Sequence, residues 1–138
     1  MIEASRIVYL VTSSLFLIGV TVQVFLAGMV VVALQMGWAN HRDLGQTLAL
    51  PLLIMLITAY LGRLPRSMKW LTWLLFAVYL IQADVIIFLR ASMPVVSAFH
   101  PVLSLVDFVL ATILAYQTWI LVRDAREERT TPPKYVEA

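Results

Sequence analysis

The chain has 138 residues, 62% hydrophobic and 13% charged, with a net charge of +2 and a mean hydropathy of +0.90, which is too apolar for a water-soluble domain and points to a bilayer. It has no cysteine, which excludes disulfides, thiolate metal centres, iron–sulfur clusters, covalent c-type haem and cysteine nucleophiles, and leaves histidine, carboxylate and methionine as metal ligands. Its basic residues flank apolar runs, a pattern of membrane orientation and not of nucleic-acid binding.

The opening "MIEASRIVYLVTSSLFLIGV" sets one basic residue before an apolar run, as a secretory leader does. The run continues to Gly37, beyond the apolar core of a leader, and reads as a retained helix. About 20 apolar residues cross the ~30 Å hydrocarbon core, and four segments reach that length: residues 7–37, 43–62, 70–90 and 99–122. "GWANHRD", "GRLPRSMK" and "RASMPVVSAFHP" separate them, and connections this short make consecutive helices antiparallel. The expected fold is an all-α, membrane-spanning up-down-up-down four-helix bundle over residues 1–123, with a charged cytoplasmic tail at 124–138. Pro51 is expected to bend the second helix, Asn40 to cap it with Asp43 three residues on, and Pro101 to fit the first turn of the fourth.

Lys and Arg fix the expected orientation. Arg6, Arg63, Arg66, Lys69, Arg123, Arg126, Arg129 and Lys134 fall on one side, and Arg42 and Arg90 on the other. Short loops rich in Lys and Arg stay cytoplasmic, so both termini are expected inside a cytoplasmic membrane. Trp38, Trp70, Trp73 and Trp119 lie mainly near span ends and read as interfacial anchors. No strong internal repeat stands out, although the first and third spans share an "apolar, Gln, apolar" theme at Gln23 and Gln82.

Polar residues within the spans carry the functional signal. They are Gln23, Gln82, Asp84, Asp107 and Gln117, with His41, His100, Arg42 and Arg90 towards the outer ends. His100, Ser104 and Asp107 share a helix face, and His41 is followed one turn later by Gly45. The small residues Gly45 and Ser104 leave room for a flat ring beside each histidine. Both histidines open parallel helices at similar height on the outer side. That arrangement suits two axial ligands of a haem b, with Arg42 and Arg90 near its propionates. The competing view is that the histidines are ordinary interfacial residues, and that Asp84 and Asp107 form a hydrogen-bonded pair joining the third and fourth helices.

"VQVFLAGMVV", "HRDLGQTLAL", "GRLPR", "YLIQADVI" and "HPVLSLVDF" together resemble an uncharacterised prokaryotic family of small four-helix membrane proteins, a domain of unknown function, up to about Arg123. The matching marks are Gln23, Gly28, His41, Gly45, Gln82 and His100. More distantly, the order Gln helix, His helix, Gln helix, His helix is similar to one four-helix half of haem A synthase, which implies His41 and His100 as axial haem ligands. The acidic motif before the histidine in that enzyme's catalytic half has no counterpart in "WAN", so synthase catalysis is not expected and no other catalytic motif is present.

Three functions follow as expectations. The first is a b-type haem electron-transfer module near the outer face, exchanging electrons with quinol or a larger complex. The second is a non-catalytic accessory subunit of a membrane assembly. The third is a small proton-coupled transporter using Asp84 or Asp107.

Overall fold

The computed structural model describes residues 1–34 and 37–130. It is all-α, with no strand among the described residues. Helix α1 spans Ile2–Val31, α2 Ala39–Thr47, α3 Ala49–Leu61, α4 Arg66–Leu80, α5 Ile86–Leu89 and α6 Phe99–Thr130. A π-helical turn at Ile81–Val85 joins α4 to α5, and a 3₁₀ turn at Pro94–Ala98 leads into α6. Four stretches, Ile2–Val31, Ala39–Leu61, Arg66–Leu89 and Pro94–Thr130, are long and apolar enough to cross a membrane. Large apolar side chains such as Leu15, Ile18, Ile57, Phe88 and Leu105 are exposed along their flanks, the surface that lipid covers.

The first helix starts earlier than the expected 7–37 and stops at Val31. Apolar residues continue past its end, so composition hides the stop. The backbone marks it: Val32 and Ala33 both donate to the Gly28 carbonyl, and Leu34 takes a left-handed φ of 53°. The second span breaks between α2 and α3 at Leu48. Pro51 accounts for that position, because its ring crowds the Thr47 carbonyl four residues back and offers it no N–H. Asn40 lies inside α2, whose N-cap is Trp38 with no side-chain cap bond, so the expected Asn40 cap does not form. Pro101 stands in the first turn of α6, where a missing N–H costs no helical bond.

In cross-section, α1 packs on α3 and α6, and α4 closes the square against the same two helices. The buried positions repeat. Tyr9, Ser13, Phe16 and Val20 of α1 have the spacing of Met68, Thr72, Leu75 and Tyr79 of α4. Leu48, Leu52, Met55 and Ala59 likewise match Asp107, Ala111, Leu114 and Thr118. Each residue lies 59 positions before its counterpart, and steps of four, three and four keep one helix face inward. The chain is thus two helical hairpins related in the placement of their core, a repeat that residue identity conceals. Tyr9 and Thr72 join the halves through a buried hydroxyl–hydroxyl bond of 2.6 Å, and the Phe16 and Tyr79 rings meet edge to face.

One end of the bundle is basic. Arg6 Nε donates to the Gly62 carbonyl at 3.0 Å, and Glu3 pairs with Arg129. Gly62 is needed there for close approach, since a Cβ would sit 2.9 Å from the Thr58 carbonyl and 3.2 Å from Arg6 Cγ. The left-handed residue of that turn is Arg63, with φ 49°. Trp38, Trp70, Trp73 and Trp119 are all exposed, and Trp73 Nε1 donates to the Tyr60 hydroxyl at 3.0 Å. Helix α6 continues to Thr130; the part of the expected tail from 131 to 138 lies outside the described residues.

Candidate functional site

At the opposite end the two histidines converge. The imidazoles of His41, in the first turn of α2, and His100, in the first turn of α6, have ring centroids 6.1 Å apart and planes inclined by 68°. Each ring is tethered in the same way: His41 Nδ1 lies 3.1 Å from the Gln23 carbonyl, and His100 Nδ1 lies 3.1 Å from the Gln82 carbonyl, in both cases 18 residues earlier in the chain. A carbonyl only accepts, so each Nδ1 is the donor, and in the neutral imidazole Nε2 keeps the lone pair. Metal-ligating histidines are commonly oriented by a bond of this kind.

Both rings line a cavity of about 610 Å³, within the size range of cofactor sites. Val20, Leu48, Ala83 and Ile87 give it apolar walls, and Arg42 and Arg90 stand at its edge. Both arginines are exposed, and Arg42 also pairs loosely with Asp43. Gln23 Oε1 and Ser97 Oγ, on residues that line the cavity, are buried without a hydrogen-bond partner. Unpaired buried polar atoms cost about 1–3 kcal/mol each and suit a guest that brings polar groups.

The surroundings of the two tethers differ. In the second half, Ser104 Oγ donates to Gln82 Oε1 at 2.6 Å, and Gln82 Nε2 donates to Asp107, which is fully buried. In the first half the corresponding positions hold Gly45 and Leu48. A Cβ on Gly45 would meet Gln23 Nε2 at 2.6 Å, so the small residue makes room for a glutamine amide, and it also lines the cavity. Ser104 lines the cavity too, with its hydroxyl on the Gln82 amide. Asp84 is exposed in the π turn, and the bond Asp107 makes is to Gln82, so the expected Asp84–Asp107 pair is replaced by an Asp107–Gln82 pair.

Two residues that sequence reasoning left out belong to the site. Tyr79 donates its hydroxyl to the Gly45 carbonyl at 2.7 Å, fastening α2 to α4. Trp38 sets its ring edge-on to His41 at 5.4 Å. The identical interval between Gln23 and His41 and between Gln82 and His100 was the available signal for a duplicated site.

Two imidazoles are too few to close a metal site unaided, and among the described residues no cluster of three His, Cys, Asp or Glu forms. They suit a metal whose remaining ligands come with it, as in a porphyrin. Two imidazoles in an apolar-walled cavity with flanking arginines are a donor set of the kind that haem b takes.

Fold and site define a small all-helical membrane protein with a cavity headed by paired histidines. Residues 23–87 match the model of a family of unknown function, DUF6220. That segment holds Gln23, His41, Gly45 and Gln82 and stops short of His100. No curated protein and no solved structure matches the chain.

Proposed function

We propose that this protein is a small b-type haem electron-transfer module of a prokaryotic cytoplasmic membrane, with His41 and His100 as axial ligands. The observation that carries the reading is the pair of imidazoles 6.1 Å apart, each held at Nδ1 by a backbone carbonyl. Arg42 and Arg90 would hold the propionates. The haem, when bound, supplies one-electron redox chemistry. The chain orients its ligands, fixes their tautomers and walls the site with apolar side chains. The reading includes an up-down-up-down bundle with both termini inside, supported by the Lys and Arg asymmetry and by the basic end where Arg6 and Arg129 stand. Electrons would pass between a membrane quinol or a larger complex and an acceptor outside.

The transport alternative would rest on Asp84 and Asp107. Asp84 is exposed and Asp107 is tied to Gln82, an arrangement better suited to fixing a histidine tether than to carrying protons.

The test is a dithionite-reduced minus oxidised spectrum of protein purified in detergent from haem-replete cells, with haem content measured independently. Low-spin b-type bands are expected in the wild type and absent from His41→Ala and His100→Ala. A wild type that carries no haem under those conditions refutes the reading and turns attention to an accessory-subunit role and a search for the partner.

A further inference from the structure

The two histidines are held unequally. In the π turn, the Ile86 N–H donates to the Ile81 carbonyl, which diverts the donor that an α-helix would give to Gln82. The Gln82 carbonyl is thereby freed for His100, and its side chain is gripped by Ser104 and Asp107. Gln82 is 7% exposed and Asp107 0%. His100, Ser104 and Asp107 also share one face of the 32-residue helix α6, whose buried residues continue to Val122.

The Gln23 carbonyl lies in the uninterrupted helix α1, where the helix's own N–H four residues on competes for it. Gln23 Oε1 has no partner. Helix α2, which carries His41, has nine residues and none is buried, and it is separated from α3 by the break at Leu48. Segments with few buried contacts open at low free energy. Resting on the haem reading above, we infer that His100 is the fixed ligand and His41 the exchangeable one, so that the site admits a small uncharged diatomic ligand on the His41 side.

His41 Nε2 would give way to the incoming ligand, with no proton or electron transferred. The apolar walls Val20, Leu48 and Ile87 favour an uncharged ligand. The amide of Gln23, one helical turn along from His41 at Gly45, offers it a hydrogen bond. The tight half of the site has no equivalent free amide.

The experiment adds carbon monoxide to the dithionite-reduced wild-type protein in detergent and follows the Soret band. A shift to a carbonyl spectrum is expected. His41→Ala is expected to keep its haem in a five-coordinate state that takes up carbon monoxide without the delay of ligand departure, whereas His100→Ala loses haem at least tenfold more readily. Gly45→Ser needs only a shift of the flexible Gln23 amide and gives it the hydroxyl that Ser104 gives Gln82. It should slow carbon monoxide uptake roughly two- to tenfold, the effect of one added hydrogen bond.

A haem-loaded wild type whose reduced spectrum ignores carbon monoxide overturns this inference and leaves the haem reading standing. Retention of haem by His100→Ala with loss from His41→Ala reverses the assignment and also overturns it. A protein without haem overturns both. Because the wild type and Gly45→Ser both keep the histidines, the inference remains testable even where an alanine variant does not fold.

Discussion

His41 and His100 each donate an Nδ1–H hydrogen bond to the backbone carbonyl of a glutamine 18 residues earlier. Around Gln82 a hydroxyl and a carboxyl close on the amide, while around Gln23 Gly45 and Leu48 offer neither. The residues behind each histidine thus divide two jobs. The tether sets which nitrogen is free, and it is the same in both halves. The grip on the glutamine that supplies the tether sets how firmly the ring is held, and it differs.

The comparison can be broken most directly at the ligands. His100→Ala is expected to lower haem retention by about ten- to a hundredfold, with His41→Ala clearly milder, measured as haem per protein after detergent exchange; equal losses would abolish the asymmetry. Next in size come the glutamines. Gln82→Leu leaves Asp107 and Ser104 without their amide partner, and loss of about 2–4 kcal/mol of stability is expected. Gln23→Leu strands no partner and removes an unpaired oxygen, so its thermal midpoint in detergent should stay within about 0.5 kcal/mol of the wild type.

Smaller again is Tyr79→Phe, which removes the bond to the Gly45 carbonyl and should cost about 1 kcal/mol, seen as faster proteolysis near α2 with α6 unaffected. The smallest stability effect belongs to Gly45→Ser, a few tenths of a kcal/mol in either direction. Its value lies in the ligand kinetics, because it rebuilds half of the Gln82 grip around Gln23.

The four apolar stretches were legible because span length and hydropathy are sums over many residues. The paired histidines were legible because both stand beside interfacial loops that composition marks. Rotation about each helix axis was not legible. One residue step is about 100°, so Asp84 and Asp107 looked like partners although one proves exposed and the other buried. Nor was the repeated core visible, since Tyr9 corresponds to Met68 and Val20 to Tyr79, pairs alike in burial and unlike in identity. The end of α1 at Val31 and the π turn at Ile81–Val85 carry no proline or glycine at the point of change. They arise from backbone bonding that residue type does not announce.

The π turn has a consequence for how this chain tolerates changes of length. It accommodates one residue more than an α-helix needs between Ile81 and Ile86, so deleting a single residue there would restore ordinary winding and leave Ile86–Leu89 on nearly the same face relative to α4. Ile86 would keep its place in the core, but the Gln82 carbonyl would regain a helical donor in competition with His100. A single-residue deletion at 83–85 should therefore spare the packing of the third span and act on the His100 tether, whereas the exposed connection at 91–93 carries no such tether.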